Sequence, residues 1–359
     1  MANETTLIYK SLIEPLRSES LDAVASEELD TPDRRDGRIY DYDPKLQLAV
    51  EVALATGRPL LLRGDPGSGK SSVAAFIARN LDYRYYEAVI TGQSSAQELL
   101  WKYDLVNRLA DAQSMAPGAA RKPLSDYDYI EPGVLWWVFD RDSAKTRGWV
   151  PQSVMPQPRE ATEPNSDVNE TRLDDCAVVL IDELDKADPD MPNALLVPLG
   201  SMAFPVTDIR DRQVRVALER FGEAKKGIGG QEMSRLLVVI TTNEERELPP
   251  AFLRRCIVHK LEHPGAERLV RIARLHFNRP PARPFTDAHS ALALEIAQRL
   301  EKLRKARAER RQRLPGTAEF LDAVRAAITL DIQVEGGPTW DAIVRTTLLK
   351  DEEPGQVGQ

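Results

Sequence analysis

Gly64-Asp65-Pro66-Gly67-Ser68-Gly69-Lys70-Ser71 is the stretch that decides the fold. It follows the apolar run Leu60-Leu61-Leu62 and precedes a helical pattern over Ser71–Asn80. The string G-x-x-x-x-G-K-[ST] carries meaning in that strand-loop-helix setting. Its glycines let the backbone bend until successive N–H groups face one way, and the helix behind adds its positive end. Such a loop suits the phosphates of a nucleotide. Lys70 would reach the β- and γ-phosphates, and the Ser71 hydroxyl would ligate Mg2+. Gly64, Asp65, Pro66, Gly67, Ser68, Gly69 and Ser72 would complete the binding contour.

Four further strand candidates accompany Pro59–Arg63: Tyr85–Thr91, Ala177–Ile181, Leu236–Thr241 and Cys256–Leu261. They alternate with helical segments, which predicts parallel β-α units covered on both faces. The third ends in Asp182-Glu183, at the edge where ligands of open α/β sheets bind. Asp182 would join Ser71 in holding the metal, and Glu183 would orient the attacking water. The fourth ends Thr241-Thr242-Asn243, where Asn243 can help place that water. Arg254 and Arg255 precede the fifth. An arginine supplied by a neighbouring subunit would stabilise charge on the transferred phosphoryl. Asp185-Lys186 read as structural, and Asp188 with Pro189 reads as a helix cap.

The composition is compatible with this chemistry. The chain has 359 residues, 42% of them hydrophobic, and a formal net charge of −8. Acidity argues against a general polyanion binder. No apolar run is long enough for a membrane span, and no secretory signal opens the sequence, so a cytoplasmic location is expected. Cys176 and Cys256 begin apolar strands and read as small core residues. The four histidines form no zinc pattern.

Outside the strands, Leu7, Ile8, Leu12, Ile13 and Leu16 suggest a short amphipathic start, and a helix is expected over Leu46–Ala53, ending at Gly57. Residues 144–173, with four prolines, read as a long surface loop, and 219–233 as a glycine-rich loop. After His263 the chain reads as helical. Arg299–Arg313 is the most basic stretch and reads as a solvated helix face, with an acidic or nucleic-acid partner as the sharper alternative. Trp136, Trp137, Tyr127 and Tyr129 read as packing residues, with client contact as their alternative.

The succession of Gly64–Ser71, Asp182-Glu183, Asn243 and Arg254-Arg255 resembles the AAA+ superfamily, most closely its MoxR-like and dynein-related branch. Arg58–Gly64, Ile181–Ala187, Asn193–Leu196 and Leu248–Arg255 carry the resemblance, which covers roughly residues 37–330. It implies a P-loop α/β fold with a five-stranded parallel sheet in the order 5-1-4-3-2, an all-α lid, and assembly into a homo-oligomeric, hexameric ring. The implied domains are a helical or linker extension (1–36), the nucleotide-binding domain (37–262), the lid (263–350) and a polar tail (351–359). The branch carries an insertion, here about 105–132 after a capped helix opening Ser95-Ala96-Gln97-Glu98, and a β-hairpin, here Ala203–Leu218. By position Arg255 is the arginine finger and Arg254 the alternative. Pro198 and Gly200 depart from the pattern and should kink or stop their helix. No arginine opens the helix at Thr317–Ala327, and Arg313 is the nearest substitute for a nucleotide-sensing lid arginine.

The implied function is a MoxR-like ATPase that remodels or activates a protein client. Many proteins of the branch act with a von Willebrand A-domain partner. No D-x-S-x-S motif places such a domain in this chain. The alternatives are an NTPase motor for nucleic acid in a restriction or defence complex, and a nucleotide switch that does not cycle. No N-K-x-D motif at a strand end supports a GTPase.

Overall fold

The computed structural model describes residues 9–18, 36–114, 125–210, 213–218, 225–228, 230–278, 284–309, 312–332 and 338–348. Helix α1 (Pro44–Thr56) leads to β1 (Leu60–Arg63), the phosphate loop, α2 (Lys70–Leu81) and β2 (Tyr83–Val89). Helix α3 (Ala96–Leu100) runs into a ribbon of β3 (Trp101–Tyr103) and β4 (Ile130–Pro132), with α4 (Leu105–Ser114) between them. Short helices α5 (Val134–Phe139), α6 (Arg141–Lys145) and α7 (Ser166–Asn169) precede β5 (Leu173–Asp182). Helix α8 (Met191–Ser201) is followed by a hairpin of β6 (Ala203–Val206) and β7 (Val214–Ala217), then a ribbon of β8 (Lys225–Lys226) and β9 (Glu232–Met233). Next come β10 (Leu236–Thr242), α9 (Pro250–Leu253) and β11 (Ile257–Lys260). Helices α10 (Ala266–Phe277), α11 (Asp287–Glu309), α12 (Thr317–Thr329) and α13 (Pro338–Leu348) complete the chain.

The main sheet has the order β11-β1-β10-β5-β2. Numbered among themselves in chain order, its five strands read 5-1-4-3-2; the small ribbons account for the other labels. β10 and β2 pair in parallel with β5, Ile240 opposite Ile181 and Val89 opposite Asp182. β10 is buried along its whole length and β5 from Cys176 onward. A sheet covered on both faces has no solvent side, so Ala177–Ile181 and Leu236–Ile240 are apolar at successive positions instead of alternating, and polar residues come only at the strand ends.

Contacts divide the described chain into two compact units. One comprises the described parts of 1–14, 44–62 and 77–259; the other comprises those of 15–43, 63–76 and 260–359. In the first, apolar side chains of the sheet pack with Trp136, Phe139, Phe204, Leu195 and Phe252. In the second, Leu269, Ala273, Ile296, Leu300, Phe320 and Val324 form the core of the helices.

Several expectations need correction. Residues 9–18 are not helical, because Pro15 interrupts any helix there, while Leu7 and Ile8 lie outside the described residues. Instead, Glu51 of α1 accepts the Leu12 N–H (2.6 Å) and the Ser11 hydroxyl (2.7 Å). Residues 144–173 run as a long loop between α6 and β5, interrupted by α7, but parts of it are tied to the sheet. Asn169 is fully buried and pairs with both backbone groups of Tyr85, and Glu163 accepts from Arg84, Arg141 and the Tyr86 hydroxyl. The glycine-rich loop at 219–233 contains the β8–β9 ribbon; Gly222 and Gly229 lie outside the described residues. Helix α8 starts at Met191, with Asp190 at its cap and Pro192 in its first turn, so Asp188-Pro189 stand before it. The same helix does not stop at Pro198 but reaches Ser201. Proline removes one helical hydrogen bond, and here that loss falls in the last turn.

The basic stretch is not a solvated face throughout. Arg304 and Arg307 are buried and donate to backbone carbonyls; Arg310 and Arg311 lie outside the described residues. Trp136, Trp137, Tyr127 and Tyr129 are buried, which makes them packing residues. The Ser95 side chain caps α3 by accepting the Glu98 N–H, and the Ala203–Leu218 hairpin forms, with residues 211–212 outside the described set. Of the insertion, residues 115–124 are outside it too.

Candidate functional site

The phosphate loop belongs to the unit that holds the C-terminal helices, and Asp182, Glu183 and Asn243 belong to the sheet unit. In the loop, Gly64, Gly67 and Gly69 all have positive φ. A side chain at Gly64 would also bring a Cβ within 2.7 Å of the Leu261 carbonyl oxygen. Both features require glycine there. Lys70 opens α2 and is buried. Its ammonium donates to the carbonyls of Gly64 and Asp65, each at 2.8 Å, and to Ser68 Oγ at 3.4 Å. The charge is thereby held over the loop. Ser71 and Ser72 follow, half-buried, in the first turn of α2.

The segment after β11 and the start of α12 each reach this loop. His263 Nε2 lies 2.7 Å from Asp65 Oδ2. Burial lowers the His263 pKa, the Arg304 charge lowers it further, and Asp65 opposes them without reversing the shift. The Thr317 N–H donates to the Gly67 carbonyl at 2.8 Å. Arg313, the nearest candidate for a lid arginine, pairs with Glu319 at 3.0 Å.

In the sheet unit, β5 delivers Asp182 as its last, buried residue. The Thr241 hydroxyl at the end of β10 donates to Asp182 Oδ1 at 2.6 Å and accepts the Glu183 N–H at 2.8 Å. Glu183 has φ +60, a left-handed conformation that costs a non-glycine residue energy. The bond from its N–H to Thr241 helps to offset that cost. Glu183 Oε1 accepts from Asn243 Nδ2 at 3.3 Å, and Oε2 accepts from Lys186 at 2.7 Å. That hydrogen bond raises the Lys186 pKa. Asp185 is buried, and its Oδ2 accepts the N–H groups of Asn243 and Glu245, both at 3.0 Å.

Asp182, Glu183 and Asn243 thus lie together at the ends of β5 and β10. Thr241 is the neighbour that sequence reasoning gave no role, while Asp185, read as structural, holds the backbone of Asn243 and Glu245. Their signal was polarity: Thr241 ends an apolar strand, and Asp185 sits two residues past the acidic pair.

Arg254 and Arg255 follow α9, both exposed, and neither guanidinium has a hydrogen-bond or ion-pair partner among the described residues. Arg255 also lines a cavity of about 1380 Å³ that Phe252, Trp137 and Cys256 share and that none of the three acid-amide site residues touches.

Ser71 offers a hydroxyl and Asp182 a carboxylate, both hard oxygen donors. Mg2+ is held by one or two protein oxygens, the rest coming from phosphate and water. No cluster of three or more His, Cys, Asp or Glu side chains among the described residues forms an all-protein metal cage. A hydroxyl and a carboxylate are oxygen donors of the kind that Mg2+ takes. No described helix is long and apolar enough to cross a membrane.

A family model described as the AAA domain of the dynein-related subfamily matches residues 59–256. The match runs from the residue before β1 to the residue before β11, and takes in every site residue named above except those of the C-terminal helices. No curated protein matches the chain.

Proposed function

As the chain belongs to the AAA domain family, in its dynein-related subfamily, we propose that it hydrolyses ATP at the subunit interfaces of a homo-oligomeric ring and uses the cycle to remodel or activate a partner protein. The coarser statement stands on the family itself: this is an ATPase-type P-loop nucleotide-binding protein.

The observation that carries the proposal is the Thr241 bridge, which locks Asp182 and Glu183 into one unit, with Asn243 on the Glu183 carboxylate. In the proposed site Lys70 and the loop N–H groups bind the phosphates, and Ser71 and Asp182 would hold Mg2+. When bound, Mg2+ neutralises charge building on the β- and γ-oxygens. Glu183 orients the water and receives its proton, with Asn243 fixing the carboxylate. Lys186 competes for the same carboxylate, so Glu183 must exchange that ion pair for the water. Arg255 of a neighbouring copy would complete the site. Its exposed, unpartnered guanidinium supports that role, with Arg254 as the alternative.

The client is proposed to be a separate protein, with a von Willebrand A-domain protein as the form that the MoxR-like resemblance favours. The nucleic-acid reading loses part of its motive, because two arginines of the basic stretch are buried. The test is Glu183→Gln in the full chain. Binding of a fluorescent ATP analogue should persist while turnover falls about 10²–10⁴-fold. Turnover that survives the substitution would overturn the proposal.

A further inference from the structure

Among the charged groups that the chemistry above leaves unused, Arg304 in α11 is the one whose burial most needs a reason. It is 7% exposed, and burial pushes its pKa down to about 10. Nε donates to the Pro315 carbonyl at 2.9 Å and Nη1 to the Pro264 carbonyl at 3.0 Å. Nη2 is buried without a partner among the described residues. Removing a guanidinium from water without pairing all of it is unfavourable, and apolar side chains of similar volume often serve as well or better at such positions. Stability alone does not account for this residue.

The two carbonyls it holds do account for it. Pro264 follows His263, which contacts Asp65 at 2.7 Å. Pro315 precedes Gly316 and Thr317, and the Thr317 N–H donates to the Gly67 carbonyl at 2.8 Å. Gly316 lies so close to the loop that a Cβ on it would come within 2.8 Å of Gly67 Cα and O. Glu319 Oε2 accepts the Gly316 N–H at 3.0 Å and fixes that turn. Both segments held by Arg304 therefore touch the phosphate loop, one at Asp65 and one at Gly67. A planar guanidinium presents its N–H groups at fixed angles, so it sets the spacing between the two segments as a flexible ammonium would not.

We propose that Arg304 is a positioning residue for the phosphate loop. Through His263-Pro264 and Pro315–Thr317 it fixes the arc from Asp65 to Gly67, whose backbone receives the phosphates. It touches no substrate. The inference rests on the ATP reading above and adds a determinant of nucleotide affinity in a helix outside the matched family span.

The test compares Arg304→Gln with the unsubstituted full chain, measuring KM, kcat, the affinity for a fluorescent non-hydrolysable ATP analogue, and thermal unfolding. KM and the analogue Kd should rise about tenfold, as expected for losing hydrogen bonds from a charged donor, while kcat stays within about threefold. Gly316→Ala pushes on Gly67 with Arg304 intact and should give the same split; it decides the matter if Arg304→Gln does not fold. Unchanged KM and Kd in folded variants, or a loss confined to kcat, would overturn the inference while leaving the ATP reading intact. If the unsubstituted chain fails to bind the analogue, both fall.

Discussion

The Thr241 hydroxyl donates to Asp182 Oδ1 across 2.6 Å, joining the ends of β10 and β5. Because the same oxygen accepts the Glu183 N–H, one buried side chain orients the proposed metal ligand and the backbone of the proposed base. Valine has the same shape without the hydroxyl. Thr241→Val leaves a buried carboxylate oxygen and a backbone N–H short of a partner. We expect a stability loss of about 2 kcal/mol or more by chemical denaturation. Turnover should fall on the order of tenfold to a hundredfold, since Glu183 loses its anchor. Full activity in Thr241→Val would show that the bridge has no catalytic consequence.

Arg255→Ala should lower kcat by roughly 10³-fold with little change in nucleotide affinity, the effect expected for an arginine that acts only on the transition state. Mixed with Lys70→Ala subunits, which lack the phosphate lysine but keep Arg255, the inactive variant should regain part of its activity. ATPase assays on the separate and mixed proteins decide this. No recovery on mixing argues that the site is completed within one copy.

Glu163 gives the sheet unit an acid-sensitive tie. Burial alone would raise its pKa, but hydrogen bonds from Arg141 and Tyr86 and the nearby arginine charges hold it below the ordinary 4.5. The folded chain thus releases this proton more readily than the unfolded one. The resulting stability is complete above about pH 4.5 and is lost as the pH falls through the lower folded value. Glu163→Gln should flatten that acid limb in denaturation curves. At neutral pH it should cost on the order of 3 kcal/mol, because Arg84 stays buried with less compensation. An acid limb unchanged by the substitution would assign the lability to other carboxylates.

His263 acts at milder pH. Its folded pKa lies below 6.5, so between 6.5 and that lower value the unfolded chain takes up a proton that the folded chain refuses. Stability should be flat above pH 6.5 and decline below it. Thermal unfolding of His263→Gln across pH 5 to 8 should lack this decline. A variant that declines as the parent does would clear His263 of the effect.

Much of this arrangement was legible in the chain before any coordinates. The glycine spacing, the strand in front of Lys70 and the acids closing β5 are local patterns. Each follows from backbone geometry or from the periodicity of a buried strand, and needs no distant partner to be read. The buried ties of residues 144–173 and of the basic stretch were missed for the opposite reason. Prolines and charges suggest solvent, but Glu163 finds Arg84 and Arg141, and Arg304 finds Pro264 and Pro315, only after folding.

The sequence by itself determined a phosphate loop, an acidic strand end and five apolar strands alternating with helices, since these depend on neighbours within a few residues. Only the tertiary structure decided that Thr241 joins Asp182 to Glu183 and that Gly316 sits against Gly67. Those pairs are 59 residues and far more apart along the chain, and a contact across such a separation is set by how elements pack, which no local pattern records.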